Sequence, residues 1–362
     1  MSRARDFADL AGSADAGGLT GRNVLVNGSM AVSQRGTSST GQGASDLFLV
    51  DRFHLNTNGN SAGRFTVTQE SDGPSGIPNS LKLACTTADT SIAASERFFI
   101  EQRLEGQDCQ RFKKGTSDAE AITVSFYVKG NAAATYVVGI YDSDNSRQIG
   151  AQFSVTTSWN RVSVTFPADT GGSALDDDNL ESLSLRFYLH AGSTYTGGTL
   201  QTTWDTAVNS EQVGSGTTSF FDSTSRTFFL TGVQMEVGER ETPFEHRSFA
   251  DELARCQRYF LAVANQATYA PVGVGRAWSG TTGNAAYYFP VEMRVNTAIS
   301  VNDLSKFDIV PSGGNPTEVR NDGGNKQSAK VGWVSSGVTN GNFYQFEFGN
   351  NQDGALFFDA EL

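Results

Sequence analysis

The chain has 362 residues, long enough for two domains with cores of their own. Its hydrophobic fraction is 38%, with 39 glycines and 25 phenylalanines, which suits short strands that pack aromatic faces between tight turns. A formal net charge of -12 argues against a nucleic-acid partner, and no run of about 18 apolar residues offers a membrane-spanning helix.

In chain order, Arg3 to Ala11 has the pattern of a short helix, with Phe7 and Leu10 on its apolar side. Such a helix is too short to hold alone and must dock on something. Gly12 to Thr20 reads as a linker, so residues 1–20 are expected to be an attachment segment. The opening MSRARDFADLAGS has no apolar stretch of the secretory kind. Cys85, Cys109 and Cys256 are an odd number without CxxC spacing, fitting neither a disulfide framework nor a zinc site. A reducing cytosol is the expected place of synthesis.

Residues 21–246 show strand after strand. Ile122, Val124, Phe126 and Val128 alternate with Thr123, Ser125, Tyr127 and Lys129; Leu183, Leu185, Phe187 and Leu189 alternate with Ser184, Arg186, Tyr188 and His190. Phe65/Val67, Tyr136/Val138/Ile140, Val162/Val164/Phe166 and Phe229/Val233/Met235 extend the series, and Asn209 to Ser225 reads as a long flexible loop. Half-buried alternation without intervening helices predicts an antiparallel sandwich. Ser248 is a candidate N-cap with Asp251 three residues on. Phe249, Leu253, Cys256 and Phe260 then follow at helical spacing, predicting a linking helix over 247–261. The period of two returns over 262–362, where Tyr287, Phe289, Val291 and Met293 share one face and Tyr344, Phe346 and Phe348 another. The expected fold is all-β: a jelly-roll β-sandwich, one linking helix and a second small C-terminal β-sandwich.

Several segments carry a resemblance. They are GRNVLVNGSMAVSQRG (Gly21 to Gly36), Asp51-Arg52-Phe53, EQRLEG (Glu101 to Gly106), SFYVKG (Ser125 to Gly130), LTGVQMEVGERETPFEHRSFADELARCQRYF (Leu230 to Phe260) and FDAEL (Phe358 to Leu362). Together they resemble a family of bacteriophage virion proteins, fibre-like or tail-fibre-like, with a carbohydrate-binding-module-type jelly roll. Phe53 stands where the family pattern has Trp. The resemblance implies a tail-fibre or head-fibre component at the virion surface, made in the bacterial host cytoplasm, that contacts other virion proteins and a host surface glycan. A fibre-like protein presents repeated sites around an axis, so a homo-oligomer is expected, with a trimer the expected form. The helix's apolar stripe, with Leu253, must also be covered, either at that interface or by both sandwiches within one chain.

Chemistry is harder to find. GxxxxGK[ST], GxSxG and HExxH are all missing, and His54, His190 and His246 lie far apart in sequence. No catalytic residue and no cofactor is therefore expected. Asp176-Asp177-Asp178 offers hard oxygen ligands of the kind calcium takes, and jelly rolls of the resembled type often hold a structural calcium. A solvated acidic loop is the expected reading. The candidate glycan surface is Tyr127 and Lys129 with Arg186, Tyr188 and His190, provided that the two strands share a sheet. The rival functions are a capsid decoration protein without a ligand and a glycan depolymerase.

Overall fold

The computed structural model describes residues 21–59, 61–264, 267–311, 313–350 and 353–362. The expected attachment helix, with Phe7 and Leu10, lies outside the described residues. The chain divides into two compact units, one running through Glu252 and taking in Leu362, the other Leu253–Glu361.

The first unit holds β1 (Ser38–Gln42), β2 (Leu47–Phe48), β3 (His54–Asn58), β4 (Arg64–Glu70), β5 (Ser80–Thr87), β6 (Arg97–Glu105) and β7 (Ile122–Gly130). It continues with β8 (Ala134–Asp142), β9 (Arg147–Val155), β10 (Asn160–Phe166), β11 (Glu181–Ala191), β12 (Asp205–Thr206) and β13 (Thr227–Val237). Sheet I is ordered β1-β4-β5-β13-β7-β10 and sheet II β12-β9-β8-β11-β6-β3-β2. Pairing is antiparallel in both. The fold is the expected jelly-roll sandwich. One continuous core fills the space between the sheets, with Phe65, Leu83, Phe126 and Leu230 from sheet I against Ile100, Val138, Leu185 and Phe187 from sheet II. Each comes from alternate positions along its strand, as burial of one sheet face demands.

Two expectations change. Phe229 does not share a face with Val233 and Met235: Phe228 and Leu230 are fully buried and Phe229 points outward. The ladder between β13 and β7 slips between Thr231 and Gln234, and Gly232 sits there at φ 60°. This bulge adds a residue and exchanges the two faces of the strand. The stretch Asn209 to Ser225 is likewise no free loop. Val213, Phe220 and Phe221 are buried, and Phe221 packs 6.3 Å from Phe65 and 5.6 Å from Phe98. Its polar letters hide an aromatic pair that closes one end of the core.

Asn23 to Val32 is buried without being a strand or a helix. Its backbone groups need partners, because an unpaired buried amide costs about 1–3 kcal/mol. Side chains supply them. Asn23 Oδ1 accepts from Leu25 and Met235 N–H at 3.1 and 3.0 Å, while its Nδ2 donates to the Val233 carbonyl at 3.0 Å. Gln102 bonds Val26 in both directions, at 2.7 and 2.9 Å. Glu245 accepts from Asn23 N–H at 2.7 Å, and Arg247 donates to Leu25 O at 2.8 Å. Asn27 Oδ1 accepts from Val32 N–H at 2.9 Å, and its Nδ2 donates to Asp51 O at 2.9 Å. A Cβ on Gly28 would lie 2.1 Å from the Val233 carbonyl oxygen, so only glycine fits. The Phe53 ring is fully buried in the core.

The helix spans Phe249–Gln257, and Phe260 opens the next strand instead of ending the helix. Ser248 Oγ accepts from Asp251 N–H at 3.1 Å, the N-cap that the spacing predicts, and donates to the Asp251 carboxylate at 2.7 Å. Cys256 is buried and Leu253 half-buried, but Phe249 at the first turn is 61% exposed. The apolar stripe is narrower than its spacing implies.

The second unit is a smaller sandwich of β14 (Phe260–Ala264), β15 (Pro271–Ala277), β16 (Thr282–Tyr288), β17 (Ala298–Val301), β18 (Phe307–Val310), β19 (Glu318–Asn325), β20 (Ser328–Val334), β21 (Phe343–Phe348) and β22 (Ala355–Asp359). Sheet III is β14-β22-β17 and sheet IV β18-β21-β15-β16-β20-β19. Leu261, Leu356 and Phe358 of sheet III share a core with Trp333, Tyr344, Phe346 and Phe348 of sheet IV. Phe289 and Pro290 follow β16 and are not part of it.

Asn23→Ala is expected to remove about 2–4 kcal/mol of stability, because three buried backbone groups lose their partner at once. Urea denaturation of the variant, followed by fluorescence, should show a lower midpoint with an unchanged slope.

Candidate ligand-binding surfaces

The two candidate strands fall in different sheets: Tyr127 and Lys129 on β7 in sheet I, and Arg186, Tyr188 and His190 on β11 in sheet II. The structure does not bring the five residues onto one face. Each half has its own surroundings.

On the outer face of sheet I, Phe229 pairs across the ladder with Lys82 on β5 and Lys129 on β7. The two ammonium groups lie 5.3 and 4.7 Å from its ring centroid. Trp159, in the turn before β10, meets the Phe229 ring edge-on at 6.1 Å. Trp159 Nε1 donates to Asp72 at 3.2 Å, and Asp72 also takes the Lys129 ammonium, while Lys82 pairs with Glu70 at 2.9 Å. The hydrogen bond from Lys129 is the main cause that holds the Asp72 carboxyl below its ordinary value. The result is a half-exposed aromatic pair ringed by charged groups with fixed positions. Tyr127 stands beside it, packed over Gly232 and 5.9 Å from the Arg161 guanidinium. From sequence alone Phe229 falls on the face of Val233 and Met235 and Trp159 reads as a packing residue; the bulge turns Phe229 outward, and Trp159 lies in a turn without periodicity.

On the outer face of sheet II, Glu101 is fully buried and bonds His54 Nδ1 at 3.0 Å, Arg103 at 2.7 Å and Arg186 at 3.1 Å. Burial alone would raise its pKa. The His54 hydrogen bond and the two guanidinium groups outweigh burial and hold the carboxyl at about 2. Arg186 also lies 4.3 Å over the Tyr141 ring. Tyr188 is buried against Phe99 at 5.3 Å. His190 is enclosed: Nε2 meets Glu96 at 3.1 Å, Nδ1 meets Ser219 Oγ at 2.8 Å and Phe221 packs on its ring at 5.1 Å. Burial pushes its pKa below the usual range. The chain Ser219–His190–Glu96 has the residue types of a hydrolytic triad, but its imidazole side chain has no exposed surface.

Asp176 and Asp177 are exposed, and the Asp178 carboxylate accepts from Leu180 N–H at 2.8 Å. Among the described residues, no three His, Cys, Asp or Glu side chains converge as metal ligands. The buried carboxylates Asp142 and Asp169 share a protein cation instead. The Lys114 ammonium touches both, at 2.7 Å from Asp169, and lies 4.6 Å over Trp204, while Arg147 grips Asp169 with two nitrogens at 3.0 and 2.9 Å. Cys85, Cys109 and Cys256 are buried and in no disulfide.

No protein-family model matches the chain, and no curated protein is similar to it. Solved structures similar to it include the enzymatically active domain of bacteriophage CBA120 tailspike protein 4, at 13% identity and a TM-score of 0.30 over 59% of this chain. The match spans 21% of that tailspike chain. A family 4 carbohydrate-binding module matches at 13% identity and a TM-score of 0.30, over 59% of this chain and 98% of the module. The module TmCBM61, solved with β-1,4-galactotriose, matches at 10% identity and a TM-score of 0.30, over 60% of this chain and 99% of its own. At that level of likeness, the functional reading rests on the chain's own surfaces.

Glu101 supplies a pH test. Its folded pKa lies below the unfolded value of 4.5, so its stabilisation is complete above pH 4.5 and fades as pH falls toward 2. Melting temperatures of the wild type should drop steeply across that window, and those of Glu101→Gln should start lower and fall less.

Proposed function

We propose that the protein is a non-enzymatic structural and adhesive component of a bacteriophage virion, displayed at the particle surface, that binds a host surface glycan through sheet I. The observation that carries this reading is the platform of Phe229 and Trp159 between Lys82, Lys129 and Asp72. A sugar ring has an apolar C–H face that stacks on an aromatic ring, and hydroxyls that bond fixed charged groups at its edge. Both needs are met within one patch. The resemblance of the sequence to phage fibre proteins supports the virion setting, and a homo-oligomer, with a trimer expected, would present several copies together. Repeated weak contacts then add through avidity, without one tight site.

The non-enzymatic part of the proposal draws support from the carboxyl groups. A glycoside hydrolase needs a carboxylic acid whose pKa is raised, so that it holds a proton to donate. Every described carboxyl with a displaced pKa, namely Asp72, Asp89, Glu101, Asp169, Glu245 and Asp303, is displaced downward. These groups are held as anions.

The test is binding of the intact protein to an array of bacterial surface polysaccharides. Phe229→Ala combined with Trp159→Ala should weaken at least one captured glycan at least tenfold while the far-UV spectrum stays the same. A blank array, or binding indifferent to both changes, would overturn the glycan reading. Steady release of reducing ends from the captured polymer would overturn the non-enzymatic one.

A further inference from the structure

The outer face of sheet IV carries a different surface. Inward positions of its strands fill the core, so the alternate ones face out: Val274, Arg276 and Trp278 along β15 and its turn, Phe343 and Gln345 on β21, Asn284 and Tyr288 on β16, Lys330 on β20. Large apolar side chains stand in solvent there, with Phe343 at 70% exposure, Tyr288 at 77%, Val274 at 62% and Trp278 at 44%. Such a concentration on one face is unusual unless something binds it.

The cross-strand registers show how it is laid out. Phe343 pairs with Arg276, and Arg276 with Asn284, so a ring, a guanidinium and an amide form one row across three strands. Tyr288 stands four residues beyond Asn284 on the same strand, about 13 Å along the sheet at ~3.3 Å per residue. Lys330 is opposite Ala286, between those two points. Both side chains are exposed and, among the described residues, make no ion pair or hydrogen bond, in a chain whose formal net charge is -12. The acids nearby are engaged otherwise: Glu318 and Asp322 with Arg320, and Glu347 with the Gln345 amide.

We propose that this face is a second glycan-binding surface, specific for acidic polysaccharide. Phe343 and Tyr288 are stacking positions for sugar rings along one extended chain. Arg276 and Lys330 take carboxylate or sulfate groups between them, in charge-assisted bonds that a neutral polymer has no group to make. An extended chain also suits an open sheet face. The proposal stands on the second unit alone and does not depend on the platform of sheet I.

Titration calorimetry on the full-length protein tests it, with oligogalacturonate and heparin fragments as acidic probes and maltooligosaccharide as the neutral one. At least one acidic probe should bind, and the neutral one should give no heat on this face. Arg276→Gln with Lys330→Gln should weaken acidic binding at least tenfold, and so should Phe343→Ala. Phe229→Ala on sheet I should leave it unchanged. All four side chains are surface groups, so the melting temperature should stay within a few degrees. Failure of both acidic probes to bind, or binding that ignores these changes, would overturn the proposal. So would a fall in light-scattering mass on Phe343→Ala, because the face would then be a contact between copies of this chain.

Discussion

Asn23 to Val32 crosses the interior of the first unit without the hydrogen-bond ladder of a strand or the internal bonds of a helix. Buried backbone in that state has to be satisfied by side chains brought from elsewhere. Asn23, Asn27, Gln102, Glu245 and Arg247 do this, and they come from widely separated parts of the chain. The requirement ties the start of the unit to β6, β13 and the segment leading into the helix. It also explains why the recognisable segments of the sequence lie where they do. GRNVLVNGSMAVSQRG, Asp51-Arg52-Phe53, EQRLEG and the stretch through Arg247 are one interlocked hydrogen-bond system, far apart in sequence and adjacent in space.

The same economy governs the charges. A carboxylate taken out of water is stable only when cations or N–H groups replace the lost solvation. Glu101 has His54, Arg103 and Arg186; Asp169 has Lys114 and Arg147. These clusters hold the acids ionised, which is the opposite of what proton donation in hydrolysis requires. Arg276 and Lys330 on the second unit have no side-chain partner among the described residues, which leaves their charge exposed to solvent. On sheet I the charged groups of the proposed platform are paired with one another, and on sheet IV they are not.

Shape adds a further distinction between the two proposed surfaces. The sheet I platform is half-exposed and pre-ordered, its rings gripped by Lys82, Lys129 and Asp72. The sheet IV face carries rings that stand exposed in solvent. A pre-ordered patch loses little entropy on binding, and an extended face gathers contacts along a polymer. On the proposed reading, one chain so built meets a surface polysaccharide in two ways.

Alternation of apolar and polar residues was enough to determine the all-β class, the strands around Val124, Phe126, Leu185 and Phe187, and the second sandwich with Tyr344, Phe346 and Phe348 inside. Period two is a local property, and burial of one sheet face imposes it wherever a sandwich forms. The helix cap at Ser248 and Asp251 was legible for the same reason, being decided within four residues. Sheet membership was not, because it depends on which strands pair, and β7 and β11 read alike while belonging to opposite sheets. The outward turn of Phe229 was also hidden, since it follows from a bulge at Gly232 that only the ladder with β7 reveals. Phe220 and Phe221, lodged in a polar stretch, enter the core because the open end of the sandwich needs filling. Those choices belong to the tertiary structure, where residues distant in sequence compete for one dry interior.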